Sequence, residues 1–226
     1  MNLQHVRALT LDLDDTLWPV WPAIERAERA LHAWLCTNAP ATALRFDIVA
    51  LRALRDAVGR QRPEWAHDLT ALRRESLRLA LDGSGDDPAL ADAAFEVFYA
   101  ARNEVDLYPE VPAALRRLSA AYPLLALTNG NADLGRTGIA PWFRGGLSAR
   151  EFGVGKPDPR IFIEACRRLG CAPAEVLHVG DDPALDVEGA RAAGMQTAWL
   201  RRSVDGDALT RGCVADLAAL AELLGC

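Results

Sequence analysis

Apolar residues are arranged in two textures along the chain. Residues 6–11 form a short apolar run that ends at Asp12, which predicts a buried strand. From residue 19 to about 105 the spacing is helical, with apolar residues recurring through 24–34, 48–58, 69–81 and 90–99. The turn signals Asn38-Ala39-Pro40, Arg62-Pro63 and Asp82-Gly83-Ser84-Gly85 separate these stretches. This segment therefore predicts about four helices and no strand.

After Tyr108-Pro109 helices and strands alternate. Helix 111–121 leads to strand 124–127, helix 160–169 to strand 176–179, and helix 187–193 to strand 197–200, with a last helix over 217–224. Such alternation implies right-handed crossovers and a parallel sheet covered on both faces. The expected fold is α/β: a doubly wound, Rossmann-like core in residues 1–18 and 106–226, with an all-helical domain inserted at 19–105. Ligands of such sheets bind beyond the carboxyl ends of the strands. Asp12/Asp14, Thr128/Asn129 and Asp181/Asp182 each follow a predicted strand, so chemistry and topology coincide.

Composition narrows the partners. A net charge of -6 over 226 residues argues against nucleic acid or an anionic membrane as the main partner. No run of about 18 apolar residues is present to span a bilayer, and the first residues do not read as a signal peptide. The five cysteines are odd in number and scattered, which reads as reduced thiols in the cytoplasm. Of 25 basic residues only Lys156 is a lysine, which suggests a place where a compact ammonium is needed.

Four clusters carry the chemistry. In Asp12-Leu13-Asp14-Asp15-Thr16 two acids leave a buried strand and can converge on one metal and one substrate. A calcium loop also begins Asp-x-Asp, but Leu17 and Ala23 stand where it requires glycine and glutamate. Thr128-Asn129-Gly130 can hold phosphate oxygens without adding charge, or can be an ordinary turn. Gly155-Lys156-Pro157 presents a fixed ammonium ahead of a helix. In Gly180-Asp181-Asp182-Pro183-Ala184-Leu185-Asp186 three acids at a strand-to-helix junction suit a hard cation. Helix capping is the competing role for Asp182 and Asp186.

Together these groups suit phosphoryl transfer through an aspartyl phosphate. Asp12 is the expected nucleophile and Asp14 the acid that protonates the leaving alkoxide and then the base that activates water. Thr128, Asn129 and Lys156 are the expected phosphate contacts. Mg2+ is expected on Asp12, Asp181 and the main-chain carbonyl of Asp14, with Asp182 and Asp186 in support. The expected partner is a small phosphorylated metabolite.

The motifs Asp12-x-Asp14-x-Thr16, Thr128, Lys156 and Gly180-Asp181-x-x-x-x-Asp186, in this order, resemble the haloacid dehalogenase-like hydrolase superfamily. The resemblance implies that residues 19–105 are a cap of the first type, which selects substrate. Dehalogenases of the superfamily carry tyrosine where this chain has Asp14, which implies phosphatase over dehalogenase; phosphomutases share all four motifs and remain an alternative. The stretches Pro63–Thr70, 122–131 and 177–182 are similar to bacterial phosphatases of flavin mononucleotide and of 5-amino-6-(5-phosphoribitylamino)uracil. Trp18, Trp21, Trp34 and Trp65 lie in or beside the insertion and suit either ring stacking or core packing. His67 suits either a substrate contact or the surface. A receiver-like signalling protein, the rival from another class, is disfavoured by the insertion and by Asp14.

Overall fold

A computed structural model describes residues 5–202 and 213–226. Strand β1 (Ala8–Leu11) is buried along its whole length, as expected of a parallel strand covered on both faces. The chain then enters α1 (Val20–Asn38), α2 (Pro40–Arg45), α3 (Ile48–Gln61), α4 (Leu69–Ser84) and α5 (Ala91–Arg102). It returns through α6 (Val111–Ala121), β2 (Leu124–Thr128), β3 (Gly146–Ser148), α7 (Ala149–Phe152) and α8 (Pro159–Leu169). The remainder is β4 (Val176–Gly180), a π-helical turn (Pro183–Glu188), α9 (Gly189–Ala192), β5 (Gln196–Leu200), β6 (Cys213–Val214) and α10 (Leu217–Leu223).

Among the described residues six strands, all parallel, run in the order β3-β2-β1-β4-β5-β6. Strand order reverses between β1 and β4, the place where open α/β sheets leave a crevice beyond their carboxyl ends. Register aligns Leu11 with Val179 and with Ala126, so Asp12, Asp181 and Thr128 emerge at one end of the sheet. Behind them Phe162, Ile161, Leu127, Leu147 and Val176 form a dry core. Each such large side chain contributes roughly 1.5–3 kcal/mol on burial.

Val20–Val105 forms one compact unit, and the chain up to Pro19 and from Asp106 onward forms the other. Within the helical unit Leu31, Leu35, Leu77, Leu81, Phe95 and Phe98 make a separate core. Asp47 and Asp68 start α3 and α4 by accepting the backbone N–H groups of Ala50 and Ala71. No helix among the described residues is long and apolar enough to cross a membrane.

Four elements depart from expectation. Asn38-Ala39-Pro40 reads as a turn, yet Pro40 opens the short helix α2, because proline lacks only an N–H that a first helical turn leaves unpaired. Strands β3 and β6, three and two residues long, are too short to leave a periodic trace. The helix expected from residue 187 starts earlier, at Pro183, as a wider π turn.

Candidate active site

Asp12 continues the strand ladder, its backbone N–H donating to the Val179 carbonyl at 2.9 Å. The chain then turns sharply. Asp15 takes a left-handed φ of 59°, which aspartate tolerates better than most residues, and its N–H donates to the Trp18 carbonyl at 2.8 Å. This turn brings the Trp18 indole N–H to the Asp14 carboxylate at 3.0 Å. Trp18 is fully buried, so its ring is packing and a hydrogen-bond donor to Asp14 rather than a stacking platform. Trp21 is half exposed and carries the Arg52 guanidinium over its ring, while Trp34 packs against the helical core.

Lys156 is 6% exposed and Asp12 is 7% exposed, and they meet at 2.6 Å. The same ammonium donates to Asp186 at 2.5 Å. Asp186 also faces His178 Nε2 at 3.0 Å and accepts the Asp182 N–H at 3.0 Å. The π turn folds Asp186 back over Gly180, where any Cβ would stand 2.2 Å from its carboxyl carbon. Glycine is therefore obligatory there by contact, not by conformation. Asp182 caps the turn, accepting the N–H groups of Ala184 and Leu185, so capping is the role it takes.

Asn129 reaches Lys156 through its main chain. Its amide donates to the Lys156 carbonyl at 2.8 Å and accepts the Lys156 N–H at 2.7 Å. The Thr128 hydroxyl accepts the Gly130 N–H at 2.9 Å, closing the turn after β2. Asp181 accepts from the Thr16 hydroxyl at 3.0 Å, and its carbonyl accepts the Trp199 indole N–H at 2.8 Å. A cavity of about 450 Å³ opens beside Asp181, lined also by Asp15, Tyr108, Trp199 and Arg202. Arg202 stacks on Tyr108 at 3.6 Å and donates to the Thr16 carbonyl, bracing the loop after β1.

One buried ammonium serves two buried carboxylates, so charge is out of balance. Burial raises the Asp12 carboxyl well above its usual range, and Lys156 only partly opposes this. Burial also acts on Asp186, but there Lys156 and His178 outweigh it and hold the carboxyl ionised. Lys156 loses by burial yet is raised by its two acids, so it stays charged. Asp181 is pushed up to about 6, chiefly by burial, with the Thr16 hydroxyl opposing. Carboxylate oxygens of Asp12, Asp181 and Asp186 all lie within 4.8 Å of one another. Two acids driven toward protonation inside an all-oxygen cluster fit a hard divalent cation, which would relieve both.

The structure thus brings Asp12, Asp14, Lys156, Asp181 and Asp186 to one crevice, with Thr128 and Asn129 on the neighbouring strand end. Asp186, expected in support, sits at its centre. His178 carries no signal in the sequence beyond its strand position and was not expected in the site. Trp65 and His67 lie in the helical unit, partly buried.

Residues 6–194 match the family described as "Hydrolase: haloacid dehalogenase-like hydrolase". The chain is 36% identical over 203 residues to the 5-amino-6-(5-phospho-D-ribitylamino)uracil phosphatase YigB of Escherichia coli K12, covering 88% of this chain and 85% of that protein. It is 33% identical to the glyceraldehyde 3-phosphate phosphatase of Methanopyrus kandleri, covering 87% and 84%. Among solved structures, the 2-haloacid dehalogenase from Pseudomonas syringae pv. tomato DC3000 superposes with a TM-score of 0.88 at 39% identity, covering 97% and 98%. A match spanning both sides of the insertion, on a sheet whose strand ends carry these acids, makes this chain a member of the haloacid dehalogenase-like hydrolase family.

Proposed function

We propose that this protein is a magnesium-dependent phosphatase of a small phosphorylated metabolite, acting through an aspartyl phosphate on Asp12. The class, a phosphoric monoester hydrolase, follows from the family and from its named phosphatase relatives. The observation that carries the mechanism is the pairing of Asp12 with Lys156 at 2.6 Å, two residues from an Asp14 oriented by Trp18.

In the first half-reaction an Asp12 oxygen forms a bond to phosphorus and the bond to the substrate oxygen breaks. Asp14 gives its proton to the departing alkoxide. In the second, Asp14 takes a proton from water, whose oxygen attacks phosphorus and returns Asp12 as a carboxylate with release of inorganic phosphate. Lys156 and the Thr128 hydroxyl stabilise the phosphoryl oxygens, and Asn129 acts by holding the Lys156 main chain. Asp12, Asp181 and the Asp14 carbonyl would hold Mg2+, with Asp186 alongside. Bound there, the ion would neutralise charge that otherwise keeps a phosphate dianion from a carboxylate. The helical unit serves as the substrate-selecting cap, and the five scattered cysteines suit a cytoplasmic setting.

The substrate we favour is flavin mononucleotide or a riboflavin-pathway phosphate, supported by likeness to the uracil-intermediate phosphatase. The dehalogenase among the solved structures supports a second reading. Asp14 weighs against it, because a halide leaves without a proton whereas an alkoxide needs one. A phosphate-release screen with Mg2+ across flavin mononucleotide, sugar phosphates and nucleotides tests the proposal, with 2-chloropropionate as the dehalogenation probe. Phosphate release led by flavin mononucleotide is expected. Halide release without phosphate release would replace the main reading, and equal turnover of simple sugar phosphates would remove the flavin assignment.

A further inference from the structure

His178 is a buried titratable group of the core that the mechanism above does not use. It lies on β4 directly opposite Thr10 on β1, and its ring is held edge-on by Phe162 at a centroid distance of 5.1 Å. Its Nδ1 is 2.8 Å from the Thr10 hydroxyl and its Nε2 is 3.0 Å from Asp186 Oδ1. These two contacts, read with elementary hydrogen-bond rules, assign every proton. An ionised carboxylate can only accept, so Nε2 carries a hydrogen. Thr10 is fully buried and Nδ1 is the partner its hydroxyl has among the described residues, so the hydroxyl hydrogen has no other acceptor to go to. Nδ1 is then a lone pair, and the Thr10 hydroxyl must donate to it.

We propose that Thr10 and His178 form a tautomer lock that positions Asp186, and through Asp186 the Lys156 ammonium at Asp12. It rests on the roles of Asp12 and Lys156 given above. The chain of bonds is continuous and buried: Thr10 to His178, His178 to Asp186, Asp186 to Lys156, Lys156 to Asp12. Asp186 Oδ1 shares its charge between two donors, His178 and Lys156, while Oδ2 takes the Asp182 N–H. Were the imidazole proton on Nδ1, two lone pairs would face each other across 3.0 Å and Asp186 would have to move. Were the donor missing, Asp186 would draw Lys156 toward itself and away from the phosphoryl oxygens. His178 and Thr10 touch neither substrate nor reacting atoms; they are positioning residues, as outer partners of site ligands are in metal centres.

The test uses the full chain. NMR chemical shifts of the imidazole nitrogens, assigned by their loss in His178→Gln, should give a neutral ring protonated at Nε2. Kinetics with an aryl phosphate and Mg2+ should give a loss of about tenfold in kcat, with KM nearly unchanged, for His178→Leu and a smaller loss for Thr10→Val. His178→Gln keeps an N–H donor at the far end of the side chain and should recover most of the activity. Thr10→Val should add nothing in the His178→Leu background. A wild-type ring protonated at Nδ1, or at both nitrogens, would overturn the lock even if every variant unfolded. Folded variants in which His178→Gln and His178→Leu lose equally, or lose nothing, would reduce His178 to packing and also overturn it. Failure of the underlying reading is separate: it would be seen as full activity in Asp12→Asn, with the wild-type tautomer unchanged.

Discussion

Each unit of the chain buries a cation, and the two do so differently. In the core Lys156 sits between Asp12 and Asp186, with a hydrogen bond to each. In the helical unit Arg73 is 7% exposed and lies 3.5 Å above the ring of Phe98. Burial, with Arg55 and Arg52 adding to it, brings the Arg73 guanidinium down to about 9, and Glu28 only partly opposes. Both Glu28 oxygens are given to Arg52. A ring face contributes about 2 kcal/mol to a desolvated cation, less than a buried charge ordinarily costs. The core thus answers its buried ammonium with two carboxylates, while the insertion holds the Arg73 charge against a ring face. This fits a division in which the core fixes chemistry and the insertion is free to vary.

The sharpest test of that division is Asp12→Asn, which should lower phosphate release at least about 10⁴-fold without unfolding the protein. Retained activity would remove the core's claim to the chemistry. Asp14→Asn should cost about 10²–10⁴-fold in kcat, and less for an aryl phosphate whose leaving group needs no proton. Equal losses on alkyl and aryl substrates would deny Asp14 its acid role. Stability then separates Lys156 from Arg73. Lys156→Met leaves two buried carboxylates without their counter-charge and should cost about 3–5 kcal/mol in urea unfolding, whereas Arg73→Met should be neutral or stabilising. Similar losses in both variants would dissolve the contrast.

The smallest expected effect is a pH slope confined to the core. Asp181 binds its proton more tightly in the folded protein, at about 6, than at its ordinary value of 3.8. Its contribution to stability is therefore present below pH 3.8 and lost as pH rises through about 6. Metal-free protein should melt at lower temperature as pH rises across that interval, and Mg2+ should flatten the slope by favouring the ionised form. A slope unchanged by Mg2+ would count against Asp181 as a ligand.

Much of this was legible in the residues because parallel strands are continuous apolar runs, so a polar residue at their end marks the crevice. Asp12, Thr128 and Asp181 announce themselves in that way, and Lys156 by being the only lysine. The partners that complete the site are not local. Asp186 meets Lys156 across 30 residues, and His178 meets Thr10 across 168. Only the strand register of β1 and β4 brings the latter pair together. Trp18 shows the converse: tryptophan beside a predicted insertion suggests stacking, but the left-handed turn at Asp15 rolls its indole inward to Asp14. Asn129 reads as a phosphate ligand from its place after β2, yet its amide matches the Lys156 main chain in both directions.

The solitary lysine has a practical consequence. An amine-directed acylating reagent has one side-chain target in the whole sequence, and that target lies inside the site. The reagent should spare Lys156 while its ammonium is held by Asp12 and Asp186, and reach it only when those contacts break. The acylation rate of a single residue, read by mass spectrometry, then becomes a clock for access to the reaction centre. A bound phosphate analogue should stop that clock.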